Sequence, residues 1–520
     1  MTTPIASGTT VRLSDVMAAL SAATELSMGQ PPDHALTTCV VAMRLGDALG
    51  FDNAQLHDVY YESLLRYLGC NAETTWAASI VGDEIALRTA VAAIDHGDKA
   101  AIVATLTRVT RESNAGAGEE FIAGAIARMM DSLPQWGGSF FPGHCEVARQ
   151  LATRFGFPES FVSTVGQLYA RWDGHGVPAL AGEEIAPAFL CAALAQDAVV
   201  FHRIGGVEAA VATARARSGG AHAPKMVQVF VRHADRLLDG LDREPMWEAV
   251  QRLEPGTPRL LDDDALDTAF EVLADYGDIK SPWFLNHSHR VAALAHRAAE
   301  RCGMSPATSQ TIRRAALVHD IGKVGVSSGI WAKAGVLTDE EREKARRHPY
   351  YTGRIFARSE ALGSIGALAA LHHEALDGSG YHRGVTADLL SPAARLLAAA
   401  NALQSRCDAR PHRSAMSLDA AAADLERRVR DGQMDGEAVR AVLDAAGGEP
   451  APAPATTTTL TDRERQVLTL VARGYATKQI AGELDIAYKT ADRHIQNVYA
   501  KIGIHTRAAA TMFAMRHRLV

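Results

Sequence analysis

A chain of 520 residues with 47% hydrophobic content and a net charge of −7 is too long for one core and too apolar for disorder, so it divides into about three or four domains. Its six cysteines (Cys39, Cys70, Cys145, Cys191, Cys302 and Cys407) are scattered with no C-x-x-C pair, which argues against a disulfide framework or a zinc–thiolate site and fits reduced thiols in cytosol. No basic region followed by an apolar run marks a signal peptide, and the most apolar stretch, 186–201, carries Gln196 and Asp197 and is too short to span a bilayer; the expectation is a cytoplasmic protein with no membrane partner.

From the N-terminus to about residue 443 the chain reads as Ala- and Leu-rich amphipathic helices with few β-branched runs, which predicts an all-α fold. Residues 1–250 and 255–443 repeat one another. His34 lies 32 residues before Arg66 and His287 lies 32 before His319, with SLLRYLG around Arg66 set against ALVHDIG around His319 at an offset of 253. Farther on, RWDGHGVP around Asp173 matches EALDGSGYH around Asp377 at an offset of 204, which also pairs His144 with His348 and Asp197 with Asn401. The difference of 49 residues marks an insertion in the first copy, within about 71–143, where no motif is readable. In the second copy Ser305-Pro306 caps a helix leading to His319, and Thr338-x-x-Glu341 is a capping box for a helix that ends near His348.

That second copy gathers His287, His319-Asp320, His348 and His372-His373. A lone histidine on an Ala/Leu helix is more often a satisfied core residue than a ligand, but so many candidate ligands at helix ends of one domain point to metal. Imidazoles with a carboxylate suit two divalent transition metals (Mn, Fe or Zn) rather than Mg. An Asp320 that bridges them beside His319 is suited to phosphodiester hydrolysis, with Lys323 placed to hold phosphate charge.

The stretches HSHRVAALA, LVHDIGKVG, KAGVLTDEE, HPYYTG, HHEALDGSGYHRG and RPHR resemble the HD-GYP branch of the HD phosphohydrolases over about 283–413. The resemblance implies that His287, His319 and Asp320 serve one metal and Asp320, His348, His372 and His373 the other, with cyclic dinucleotides, cyclic di-GMP above all, as substrates. Three positions depart from the family: Asn401 stands where an Asp ligand is usual, Gly380-Tyr381-His382 replaces Gly-Tyr-Pro, and Trp283 occupies the place of an extra Glu ligand. At most two metals are expected, the first held more weakly. In the first copy Arg66-Tyr67 and Leu168-Tyr169 replace the ligand pairs, so it reads as a scaffold or sensor.

A Pro/Ala/Thr linker, 444–458, separates this body from a basic tail. From Thr459 onward ten Lys and Arg face five Asp and Glu, a net +5 on a body of −12, which suits a polyanion partner. Thr461-x-x-Glu464 is a capping box, Gly474 ends the helix it opens, Thr477 starts a short helix, and a third runs from about Thr490 to Ile502 before Gly503. Ala491, Ile495, Val498 and Ile502 face inward, leaving Lys489, Thr490, Arg493, His494, Gln496 and Asn497, with Lys478 and Lys501 nearby, to meet DNA. The segment resembles the LuxR (GerE-type) helix-turn-helix domain, which implies a four-helix module at 459–520 whose last helix often supports a homodimer. Ala487, where the family usually has a capping Ser, and Ala491, where it usually has Val, are departures. Three readings stay open: a transcriptional regulator whose second copy hydrolyses a cyclic dinucleotide or another phosphate ester, a regulator whose paired domains sense a nucleotide or metal without turnover, and an interaction scaffold with vestigial metal and DNA sites.

Overall fold

The computed structural model describes residues 11–447 and 460–520, so the Pro/Ala stretch of the expected linker lies outside the described residues. Its first positions instead extend a helix, Gly436–Gly447. The all-α expectation holds: the described residues contain only two strands, Val11–Arg12 and Leu260–Leu261, each of two residues. Two compact units emerge, residues 12–261 and residues 262–520.

The first unit runs on to Leu261, past the boundary near 250. Local bonds explain why. Leu13 N donates to Arg259 O at 2.8 Å, and Glu254 accepts from Ser14 Oγ (3.0 Å) and Tyr61 Oη (3.2 Å). The apolar stretch noted in the sequence belongs to the helix Pro187–Ala216, long and apolar enough by length and composition to cross a membrane. Here 67% of its most apolar window is buried, and Gly205 and Gly206 interrupt it, as suits a core helix. The inserted segment folds as the helices Thr74–Val81, Glu84–Val91, Lys99–Ser113 and Glu119–Gln135 around Val81, Leu87, Leu106, Val109 and Met129.

In the second unit the capping signals act as read. Ser305 Oγ accepts from Thr308 N at 3.2 Å and Pro306 opens the helix Pro306–Val318, which delivers His319 at its C-cap. Thr338 and Glu341 close a reciprocal box on the helix Asp339–Arg346, and His348 begins the next, His348–Phe356. Gly322 lets these pieces meet, because a Cβ there would lie 2.0 Å from His348 O. The same approach recurs in the first unit, where a Cβ on Gly69 would lie 1.8 Å from His144 O. Asp33 and Asn286, each preceding a helix that opens on histidine, both adopt positive φ (67° and 58°).

Glu62 in the first unit is fully buried, neither oxygen finds a hydrogen-bond partner, and burial pushes its pKa from 4.5 up to about 8. Between those two values the unfolded chain has lost a proton that the folded chain retains, so stability falls as pH rises. Glu62→Gln is expected to raise the first unit's unfolding temperature at pH 8 and to lose that advantage below about pH 4.5. Calorimetry across this range checks it; parallel profiles for the two proteins would contradict the assignment.

Candidate functional site

A buried carboxylate is tolerated only among cations or strong donors. Asp320, 4% exposed, sits in the short turn after the helix Pro306–Val318 and points each oxygen at a different pair of imidazoles. Its Oδ2 lies 3.5 Å from His287 Nε2 and 3.2 Å from His319 Nε2; its Oδ1 lies 3.4 Å from both His348 Nε2 and His372 Nε2. Three of these rings donate Nδ1–H to the carbonyl three residues back, at 2.7 Å: His319 to Ala316, His348 to Ala345 and His372 to Ala369. Each Nε2 is thereby left with a free lone pair. His348 Nε2 and His372 Nε2, both acceptors, stand only 3.1 Å apart, and His319 Nε2 and Asp320 Oδ1 have no hydrogen-bond partner. Converging lone pairs around a carboxylate fit divalent cations and little else.

Burial holds His287 near pKa 4 and His372 near 3, with His348 and His373 also lowered, so the rings are neutral donors at neutral pH. Burial pushes the Asp320 carboxyl up, but neighbouring His319 and Lys323 outweigh it and keep it ionised. Two ligand groups result, His287–His319–Asp320 and His348–His372–His373, the atoms of each within 4.8 Å of one another. Asn401 Oδ1 reaches to 3.3 Å from His287 Nε2, beside the first group. Lys323 pairs with Asp320 and lies 4.1 Å over the Phe284 ring. Trp283 is partly exposed at the rim, where its carbonyl accepts from Arg410. A cavity of about 340 Å³ adjoins the centre, lined by His372, His373, Tyr381, Asn401, Arg406 and Arg428.

One functional candidate escaped the sequence reading. Asp408, the C-cap of the helix Pro392–Cys407, accepts Nδ1–H of His287 at 2.6 Å and an Arg290 N–H at 3.1 Å. It fixes that ring as the carbonyls fix the others. The only signal was a lone acid directly after a helix, just ahead of RPHR.

In the first unit the counterparts do not assemble a metal group. His144 bonds Tyr169 Oη (2.7 Å) and Ala72 O (3.2 Å), and Asp197 is held by Arg217 (2.5 Å) and His222 (2.7 Å).

The tail forms four helices, Asp462–Ala472, Thr477–Glu483, Tyr488–Ile502 and Arg507–Arg516. The third starts two residues earlier than expected, and its N-cap, Ala487, makes no side-chain cap. Ala491, Ile495 and Val498 are buried, with Ile502 partly so, while Lys478, Lys489, Thr490, Arg493, Gln496 and Asn497 are exposed and His494 half-buried. Lys501 is exposed and pairs with Glu464, whose side chain closes the capping box, at 2.7 Å. The last helix is buried at Ala508 to Met512, five consecutive residues that span its full circumference, so it has no free face there. Asn286 Nδ2 donates to Met515 O and Val520 O, both at 3.0 Å, tying this end of the tail to the residue before His287.

Residues 271–438 match the family model described as the HD domain, and residues 458–514 that of bacterial regulatory proteins of the luxR family. The chain is similar to 3′3′-cGAMP-specific phosphodiesterase 3 of Vibrio cholerae, 30% identical over 428 residues, 81% of this chain and 92% of that relative. A cyclic di-GMP phosphodiesterase of Thermotoga maritima is 36% identical over 168 residues, 31% of this chain and 45% of its own length. The crystal structure of the V. cholerae cyclic GMP-AMP specific phosphodiesterase V-cGAP3 superposes with a TM-score of 0.58 at 26% identity, covering 85% of this chain and 99% of that one.

Removing the partner of a ligating histidine lowers metal affinity about 10- to 100-fold. Asp408→Ala is expected to weaken manganese binding by that order with the helical content unchanged, measured by calorimetric titration. Unaltered binding would mean that His287 needs no such support.

Proposed function

The chain belongs to the HD-domain family of cyclic dinucleotide phosphodiesterases and carries a LuxR-type DNA-binding domain, and from this premise we propose that it hydrolyses a 3′3′-linked cyclic dinucleotide and binds DNA through its tail. The observation that carries the first half is Asp320, with one oxygen toward each pair of imidazoles. Two divalent transition metals bound there, manganese, iron or zinc, would supply an ionised water at neutral pH and neutralise a phosphoryl oxygen. His287, His319 and Asp320 would hold one, and Asp320, His348, His372 and His373 the other, with the carbonyl of Asn401 completing the first set.

The chain's own groups do the rest. Lys323, fixed over Phe284, keeps Asp320 ionised and offers a cation to the phosphodiester. Tyr381 stacks on His373 with ring centroids 4.6 Å apart, and the Arg346 guanidinium lies 4.7 Å from the Tyr381 ring centroid, so an aromatic wall and a positive charge stand close to the same candidate metal ligand. Arg406 and Arg428 line the adjoining cavity and suit the second phosphate of a cyclic dinucleotide. The near-full-length relationship to a 3′3′-cGAMP-specific enzyme makes 3′3′-cGAMP the first substrate to try, with cyclic di-GMP beside it. Residues 12–261 we take as a degenerate copy of the same domain, a reading supported by the paired close approaches at Gly69 and Gly322 and the paired left-handed residues Asp33 and Asn286.

A second reading, in which the centre senses a ligand without turnover, is favoured by Asn401, which lacks the charge of a carboxylate ligand. The bonds from Asn286 to the tail give it a route, since a change at His287 is felt by the neighbour that holds Met515. In that reading release of the last helix would free a surface for a homodimer on DNA.

Hydrolysis of 3′3′-cGAMP and cyclic di-GMP with added manganese separates the two. Turnover that falls to background in Asp320→Ala is the expected result; manganese binding without turnover of either nucleotide would give the sensor reading precedence. For the tail, Arg493→Ala is expected to lower affinity for duplex DNA about tenfold, corresponding to about 1.4 kcal/mol for one lost contact, in a low-salt gel-shift titration. Unchanged binding would remove Arg493 from the interface.

A further inference from the structure

The helix His287–Arg301 opens on a candidate metal ligand and has no cap of its own. Its N-cap residue, Asn286, is left-handed, makes no side-chain cap, and gives its amide N–H groups to Met515 and Val520 instead. The first N–H groups of a helix have no acceptor inside it, and a buried one must find an acceptor elsewhere. Here the acceptor comes from another helix. Asp278, the last residue of the helix Asp263–Asp278 and 2% exposed, accepts Ser288 N–H at 2.9 Å on one oxygen and the Ser288 hydroxyl at 2.8 Å on the other. Both oxygens therefore grip the residue directly after His287. One turn earlier on the same helix, Asp275 pairs with His289 at 2.8 Å.

The arrangement recurs at the offset of the repeat. Glu25 and Ala35 precede Asp278 and Ser288 by the same 253 positions. Glu25, buried near the end of the helix Leu13–Ser27, accepts Ala35 N–H at 2.7 Å and Asp33 N–H at 3.2 Å. The helix His34–Leu49 likewise opens on histidine after a left-handed residue that makes no side-chain cap. A carboxylate from the preceding helix is thus how both units fix the first turn of the histidine helix. In the second unit the second oxygen has moved from the N–H before the histidine to the hydroxyl after it.

This acid stands in the corner that also carries Asp320. A Cβ on Gly277 would lie 3.4 Å from Ile321 Cα, so the end of the helix Asp263–Asp278 rests against the residue after Asp320. Burial pushes Asp278 up to about 6 against the pull of its two bonds from Ser288, which leaves it ionised at neutral pH and a strong acceptor. Asp408 sets the turn of the His287 ring, and Asp278 sets the place of the backbone that carries it.

We infer that Asp278 is a positioning residue for His287: by capping the ligand's helix from a neighbouring one, it holds His287 where its Nε2 meets the first metal together with His319 and Asp320. The inference rests on the metal centre proposed above and concerns the first metal alone, since His348, His372 and His373 are carried by other segments. Asn401 brings that metal no charge, so its affinity depends the more on how well its histidines are placed.

The test is manganese binding by calorimetric titration of the full chain in two backgrounds. His348→Ala removes a ligand of the second metal and reports on the first; His287→Ala does the reverse. Asp278→Ala is expected to lower manganese affinity about 10- to 100-fold in the first background and to leave it unchanged in the second. Asp278→Asn, which keeps an acceptor for Ser288 N–H and an N–H for its hydroxyl, is expected to restore most of the affinity. Should Asp278→Ala fail to fold, Ser288→Ala decides, with a loss confined to the first background as the supporting result. Equal loss in both backgrounds assigns the acid to the fold as a whole and overturns the inference, as does no loss in either. A loss that Asp278→Asn does not restore overturns it too, because charge and not capping would then be at work. Manganese binding with the expected pattern in a chain without turnover contradicts hydrolysis alone, whereas a wild type that binds no manganese contradicts the centre and the inference together.

Discussion

Burying the Asp320 carboxylate sets the terms for the whole second unit. A charge withdrawn from water must be repaid by cations or donors at close range; Lys323 supplies one, while four imidazole lone pairs at 3.2–3.5 Å face the carboxylate without donating to it, an arrangement that calls for bound cations. Each ring is turned toward the carboxylate because its far nitrogen is committed elsewhere, to a carbonyl for three of them and to Asp408 for His287. The helices are correspondingly placed by their ends. Pro306–Val318 stops at His319, His348–Phe356 starts on His348, and His287–Arg301 starts on His287, so the ligands sit where the backbone turns and neighbouring chains can approach. Gly322 permits the closest of those approaches.

The two units share backbone features at positions that the sequence repeat pairs. Gly69 and Gly322 allow the same contact, and Asp33 and Asn286 make the same left-handed entry to a helix. What differs is the side chain at the crossing. His319 contributes a lone pair, whereas Arg66 contributes a positive charge; Tyr67 removes the bridging carboxylate, and Tyr169 fills space by bonding His144. Fold and chemistry are thus separable at a few positions, and fold membership alone does not decide activity.

Much of the site was legible because its residues announce themselves locally. His319-Asp320 and His372-His373 are adjacent pairs, and the helix starts at Ser305 and Thr338 are fixed by capping chemistry that spans only a few residues. Asp408 was not legible, since its bond to His287 crosses 121 positions of sequence and leaves no periodic trace. Nor was the bond from Asn286 to the tail, or the pairing of Lys501 with Glu464. The inserted helices between residues 71 and 143 carried no motif because their work is packing: a small apolar core of common residues has no signature of its own.

Within the second unit the tail bonds Asn286, one residue before the candidate ligand His287, so the helix-turn-helix domain and the candidate metal centre meet at adjacent positions. Whether the centre turns over substrate or only fills and empties, its first requirement is that Asp320 holds two metals at once. The direct measurement is anomalous scattering at the manganese edge from crystals grown with manganese. The account predicts two peaks about 3.5–4 Å apart, one beside each oxygen of Asp320, the first within reach of His287 and His319 and the second of His348, His372 and His373. A single peak, or none near Asp320 at saturating manganese, would contradict it.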